Sequence, residues 1–453
     1  MKVIVVGASH GGHESAVELL TRYENNEVTV YEAGDFISFM SCGMELYLEG
    51  KATQRDDVRN FKPEDVEKLG GQVYSQHQVT KIDPDKHEVE VKNLANGETF
   101  TDTYDKLILS SGVTPTTIPV PGNDLKNVFL MRGRDWATKL HDKLHDDQVK
   151  NVVVVGAGYI GIEAAEVFAK GGKNVTIVDR NQQPLANYLD PQLGEVVAKT
   201  LSENGVNLDL GRTVSEYQGT TEVQSVKTDD GCELPADLVI VAAGVTPNTD
   251  WLKGTVDLEE GGFIKTDPYL RTSAPDIYAV GDAIKSLFAP AGKPAPIALA
   301  SAARRQARYV AETLTMTKPD RSFPGINGSS ALSVFDYHLA NTGVNAHNAE
   351  LLNLDVAESV YHGKLRPNFV TDGNPDVWVK LTYHPESHQI LGGQILSKGA
   401  ITAHGNTISL AITAHMTLED LAEADFFFQP GFDRQWSVLN IAAQTALGET
   451  PAV

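Results

Sequence analysis

The sequence predicts an α/β protein in which one parallel-sheet unit occurs twice, followed by a smaller α+β domain. Three observations predict it. KVIVVGASHGGHESAVELL from Lys2 and NVVVVGAGYIGIEAAEVFA from Asn151 share one pattern. YDKLILSSGVTP (104–115) and ADLVIVAAGVTPN (236–248) share a second. From about Phe323 onward neither pattern returns, and strand-like and helix-like runs alternate.

Each member of the first pair opens with a continuous β-branched apolar run, as a strand buried on both faces requires. A glycine turn follows, then helix formers with apolar positions three and four apart. A second apolar strand comes next in each half and ends in an acid. VTVYE places Glu32 and VTIVD places Asp179. An acid some 20 or more residues beyond the first glycine is the spacing of a dinucleotide fingerprint. One match is weak, but two in the correct strand, turn and helix context are specific. The expectation is therefore two Rossmann-like dinucleotide-binding domains.

In the second loop Gly156, Gly158 and Gly161 permit the turn, admit the pyrophosphate to the backbone and let the helix pack on the strand. Asp179 accepts from a ribose 2′-hydroxyl and repels a 2′-phosphate, which favours NADH, while Arg180 beside it works against that preference. The first loop reads Gly7, Ser9, Gly12, with His10 and Gly11 between them, and serine is small enough to keep the close approach. TSAPDIYAVGDAI places Asp282 after a short strand and ahead of a helix-like run, where it could hold a ribityl hydroxyl or a water on the pyrophosphate. Two nucleotide sites in one polypeptide suggest a flavin and a nicotinamide exchanging electrons.

The expected division is a discontinuous FAD-binding domain over 1–118 and 245–322, an inserted NADH-binding domain over 119–244, and a C-terminal domain over 323–453. Within the last, VWVKLTYHPESHQILGGQIL reads as a hairpin, and ITAHGNTISLAITAH and TLEDLAEADF as helices.

Thirty-eight basic against sixty acidic residues give a formal charge of −22, which repels nucleic acid and anionic lipid. MKVIVVG is too short for a signal peptide, and no stretch approaches the ~18 apolar residues of a membrane helix, so the cytoplasm is expected. The two cysteines, Cys42 and Cys232, are too few for a disulfide framework and too scattered for a zinc site. Cys232 lies in the turn-like TDDGCEL and reads as incidental. Cys42 opens the apolar helical pattern CGMELYL, and at a helix N-terminus the free N–H groups would favour its thiolate.

Over nearly its whole length the chain resembles the pyridine nucleotide–disulfide oxidoreductases. ISFMSCGMELYLEG, MRGRDWATKL (131–140), GYIGIEAAEVFAK, FDYHLANTG (335–343) and ADFFFQPGFD (424–433) are most similar to the single-cysteine branch that holds NADH peroxidase and, as runner-up, water-forming NADH oxidase. Coenzyme A disulfide reductase and a non-catalytic nucleotide-binding redox sensor are the remaining alternatives. Typical members carry a cysteine pair and a C-terminal His–Glu couple, and this chain has neither.

The resemblance implies that Cys42 cycles between thiolate and sulfenic acid while hydrogen peroxide is reduced to water by NADH through FAD. It implies a neutral His10 that positions oxygen or moves a proton, and an Arg304 that matches the peroxidases where the oxidases carry an apolar residue. Flavin contacts are implied for Gly7, Ser9, His10, Gly11, Gly12, Glu32, Cys42, Ser110, Ser111, Gly112, Val113, Arg132 and Asp282, with Ala298 and Ala300 approaching through backbone. NADH contacts are implied for Gly156, Gly158, Tyr159, Ile160, Gly161, Asp179, Tyr188 and Gly244, with Tyr159 as a ring that covers the flavin and moves aside. The C-terminal domain is implied to build a homodimer or homotetramer, with FFFQPGF covered by a partner subunit or by the flavin.

Overall fold

The computed structural model describes residues 1–23, 26–52 and 54–449. Lys2–Val6, Glu27–Tyr31, Gln72–Tyr74, Lys106–Leu109 and Ile277–Ala279 form one parallel sheet, in the order 277, 106, 2, 27, 72 by first residue. Val3, Ile4 and Val5 are fully buried at its centre, in one core with the helices His10–Arg22 and Ala300–Thr313 and with Val79, Val89 and Val91 of the antiparallel strands between residues 77 and 103. A second parallel sheet repeats the arrangement. Its order is Val206–Leu210, Asn174–Asp179, Asn151–Val155, Leu238–Val241, Val128–Leu130.

The two sheets differ at one edge. In the second, the last strand comes from residues 128–130, just ahead of the glycine loop; in the first it comes from residues 277–279, after the whole second unit has been made. The chain thus leaves the first unit and returns to it. Its two crossing points are the repeated GVTP segments, and they pair antiparallel as Val113–Pro115 with Val245–Pro247.

The C-terminal part is an antiparallel sheet of Ser330–Val334, Tyr337–Gly343, Ile390–Ser397, Asp376–Tyr383 and Ala357–Lys364, in that spatial order. The expected hairpin is the pair Asp376–Tyr383 and Ile390–Ser397. The two helical patterns become Thr402–Thr413 and the shorter Leu418–Ala422, which starts at a Thr417/Asp420 capping box.

Two local expectations are corrected. Asp282 is not followed by a helix: Gly281–Ala283 is a single 3₁₀ turn, a strand pair intervenes, and the next α-helix is Ala300–Thr313. Cys42 likewise sits within the 3₁₀ turn Ser41–Gly43, and the α-helix behind it, Met44–Leu48, has only five residues. Gly43 packs too tightly for a side chain, since a Cβ there would lie 2.6 Å from Val58 Cγ1.

Candidate active site

The two glycine loops are the same object twice. Gly7 and Gly156 have φ of +95° and +109°, and a Cβ on either would stand 2.4 Å from a carbonyl oxygen, that of Ser110 or Ala242. Gly12 and Gly161 are closed to side chains by the carbonyls of Gly7 and Gly156, at 1.8 and 1.9 Å from a Cβ. The helices His10–Arg22 and Tyr159–Lys170 therefore start hard against their strands, with Ser9 and Gly158 as caps and their first N–H groups turned to the loop. The acids match as well. Glu32 accepts from Ala8 N and Gly34 N, both at 2.7 Å, and Asp179 from Ala157 N at 2.6 Å and Asn181 N at 2.7 Å.

A groove of about 530 Å³ opens over the first loop. Gly7, Ser9, His10, Gly11, Glu32, Ser110, Ser111, Gly112, Val113, Arg132, Asp282 and Ala300 all line it. Gly12, Cys42 and Ala298 are not on its wall. Gly12 is buried behind the turn, Ser41 lines the groove next to the exposed Cys42, and Ala298 is exposed two residues before the helix that contributes Ala300. Arg132 and Asp282 form an ion pair of 3.3 Å on the wall. Two polar atoms of the lining residues, His10 Nδ1 and Ser111 Oγ, are buried without a hydrogen-bond partner.

Electrostatics gather around His10. Burial lowers its pKa, Arg304 and Arg132 lower it further, and Asp282 opposes them. Arg304 projects from Ala300–Thr313 and pairs with Glu14 at 3.2 Å, one turn along the helix from His10. His13, which the sequence reading passed over, is 2% exposed with both ring nitrogens unpartnered, and it packs on Phe61 at 3.6 Å between ring centroids. Burial, then Arg304 and His10, push it down to about 4. A histidine on the buried stripe of the first helix was its only signal in the sequence.

The thiol departs from expectation. Cys42 is exposed by surface area but surrounded by protein mass, and desolvation, reinforced by the Glu163 carboxylate, pushes its pKa up. Its local backbone, Arg132 and Arg304 act in the opposite sense. One 3₁₀ turn ahead of a five-residue helix supplies too little dipole to reverse that balance.

On the second loop Tyr159 and Tyr188 stack at 4.1 Å and 17°, and Tyr159 Oη shares a 2.7 Å hydrogen bond with Ser330 Oγ of the C-terminal sheet. Ile160 is half-buried beside them, and Gly244 turns the end of the neighbouring strand at φ +111°. Arg180 is exposed next to Asp179. Glu163, one turn beyond Tyr159, was also passed over. Burial, Glu45 and Glu166 raise it to about 8.

Residues 1–307 match the family model for pyridine nucleotide-disulphide oxidoreductases, and residues 329–438 match the dimerisation domain of the same family. The chain belongs to this family. It is 41% identical to an NADH oxidase of Enterococcus faecalis over 448 residues, with 99% of each chain covered. It is 34% identical to an NADH oxidase of Streptococcus pyogenes, with 98% of each covered. Among solved structures, the water-forming NADH oxidase of Lactobacillus brevis bound to NADH superposes with a TM-score of 0.94 at 37% identity, covering 99% of this chain and 98% of that one.

The protein is thus a flavin-dependent NAD(P)H oxidoreductase, and FAD and NADH are its cofactors. The first loop fits a dinucleotide on its own geometry: a cradle that a Cβ would fill, orphaned Ser111 Oγ and His10 Nδ1, and a fixed acid at Glu32. Among the described residues no helix is long and apolar enough to cross a membrane.

Proposed function

We propose that the protein is a water-forming NADH oxidase that passes electrons from NADH through FAD to dioxygen. Its chain-long likeness to proteins named NADH oxidase carries this reading. Bound FAD supplies a hydride acceptor for NADH and a two-electron donor for the oxidant. Glu32 with the loop of Gly7, Ser9 and Gly12 holds the flavin nucleotide, Arg132 and Asp282 line its path, and Asp179 with the loop of Gly156, Gly158 and Gly161 holds NADH. Tyr159 and Tyr188 cover the approach between them.

Cys42 explains why reduction ends at water. Its exposed sulfur has no partner for a disulfide, because Cys232 lies in the turn between Val223–Thr228 and Glu233–Pro235. Attack of the Cys42 sulfur on hydrogen peroxide, with the thiol proton passing to the departing oxygen, forms an S–O bond, breaks the O–O bond and releases water, leaving sulfenic acid. One NADH supplies the two electrons that reduce dioxygen to this peroxide, and a second supplies the two that, with two protons, restore the thiol and release the second oxygen as water. His10, which lines the groove and whose Nδ1 is buried without a hydrogen-bond partner, positions the oxygen being transferred. The match to the family's dimerisation domain and the exposure of Phe427, Phe428 and Phe432 support assembly into a homodimer or a higher homo-oligomer.

Arg304 favours a second reading, with peroxide as the physiological acceptor, since its positive charge acts on both His10 and Cys42. An oxygen electrode separates the two. The oxidase consumes two NADH per dioxygen and accumulates no peroxide. Faster NADH consumption with anaerobic peroxide than with air would overturn that reading in favour of a peroxidase.

A further inference from the structure

The turn that carries Tyr188 is held from two sides. On one, Leu185, at φ +56°, donates its N–H to Ala157 O in the second glycine loop at 2.8 Å. On the other, Asp190 reaches the C-terminal sheet. Asp190 caps the helix Pro191–Glu203 by position, yet its carboxylate makes no capping bond. Its Oδ2 instead takes Lys380 Nζ at 2.6 Å and Gln394 Nε2 at 2.8 Å, its Oδ1 takes Ala346 N at 3.0 Å, and its own N–H goes to Gln394 Oε1 at 3.0 Å. Glu358 closes the set on Lys380 at 2.7 Å. Lys380 and Asp190 are 1% and 2% exposed, so both charges are fully withdrawn from water.

Burying two charges costs desolvation, and an apolar contact would join the domains without that cost. What the charges add is direction. Asp190 is fixed at its N and at both carboxylate oxygens, each by an oriented partner, and Lys380 and Gln394 are register neighbours on adjacent strands. Tyr188 lies two residues away, its N–H on Leu185 O at 2.7 Å, and its ring stacks on Tyr159, which is itself tied to Ser330 of the same C-terminal sheet.

We propose that Lys380 is a positioning residue of the nicotinamide site: through Asp190 it fixes the turn 185–190 and thereby the Tyr188 ring against Tyr159. This rests on NADH lying over the second glycine loop. The C-terminal sheet then sets the shape of the NADH site within its own chain, separately from its part in subunit contacts.

The test uses the FAD-loaded enzyme and anaerobic rapid mixing, reading the NADH concentration that half-saturates flavin reduction. Lys380→Met is expected to raise it about tenfold, a size ordinary for removing a positioning contact. Reoxidation of the chemically reduced enzyme by dioxygen should stay within about twofold, a split that general loosening of the fold would not produce. Tyr188→Ala should also raise the half-saturating concentration, and adding Lys380→Met to it should raise it no further, because the two act as one unit. If Lys380→Met fails to bind FAD, Asp190→Asn removes the charge while keeping the shape, and a rise of about threefold is expected. An unchanged half-saturation in the lysine variant, or in Asp190→Asn where that variant stands in, or effects of Lys380→Met and Tyr188→Ala that simply multiply, would overturn the positioning role. An unchanged Tyr188→Ala would instead remove NADH from the second loop and overturn both.

Discussion

Replacing Glu163 by glutamine should stabilise the protein, and the gain should depend on pH in a defined way. Glu163 lies among carboxylates. The side-chain oxygens of Glu45, Glu49 and Glu166 fall within 4.8 Å of one another. Lys170 binds Glu166 at 2.5 Å and Glu49 at 2.8 Å, and Lys51 adds a second cation to Glu49. The compensation falls on Glu49 and Glu166, leaving the half-buried Glu163 to take up a proton. Its pKa rises from an ordinary 4.5 to about 8 through burial, Glu45 and Glu166. Below 4.5 the side chain is neutral in both folded and unfolded chains; between 4.5 and 8 the folded chain holds the extra proton, so stability falls as pH rises through that window. Three and a half pH units at about 1.4 kcal/mol each put the full cost above pH 8 at roughly 5 kcal/mol. Urea unfolding of the FAD-loaded protein across that range should show Glu163→Gln near the parent at the acidic end and more stable by a few kcal/mol at the alkaline end. A difference independent of pH, or one that shrinks as pH rises, would refute the reasoning.

Two further outcomes are expected. Cys42→Ser should lose peroxide turnover yet keep NADH-to-flavin reduction, followed by the flavin absorbance under anaerobic conditions; unchanged peroxide turnover would remove the sulfur from the chemistry. Asp179→Ala loses a charged acceptor for the ribose, which raises KM for NADH about tenfold or more, and it should raise kcat/KM for NADPH because Arg180 stands exposed alongside; NADPH kinetics unchanged by the substitution would show that Asp179 does not govern the choice.

The fold was legible because its signals are local and repeated. A buried strand, a glycine forced to positive φ and a helix start within a few residues left the same mark at Gly7 and at Gly156, and the acids 32 and 179 followed at the next strand end. Residues 277–279 return to the first sheet, within the segment 245–322 that the sequence assigns to the first unit. Contacts between distant segments were not readable. Glu14 meets Arg304 and Asp190 meets Lys380 only after the chain has folded, and no spacing announces either pair. The pKa of Cys42 misled for the same reason. Its local pattern promised a helix start, whereas the desolvation and the Glu163 charge that raise it belong to the assembled site.

The asymmetry between two near-copies explains how one fingerprint can serve two chemistries. Glycines, acid and helix start match in kind, and the turns differ where His10 opens the first helix and Tyr159 opens the second. A further difference enters with the strand at the sheet edge. Because residues 277–279 come from beyond the second unit, they bring the Asp282 turn and the helix of Arg304 back to the first loop, where Arg304 pairs with Glu14 and adds to the burial that lowers the pKa of His10. The second sheet takes its edge from residues 128–130, which precede its loop, and the helix that follows them, Arg134–Leu144, packs into that unit's core through Leu140 and Leu144. Its loop meets the C-terminal sheet through Tyr159 and Asp190 instead. The first loop is thereby lined with cationic and imidazole groups, and the second with the stacked rings of Tyr159 and Tyr188.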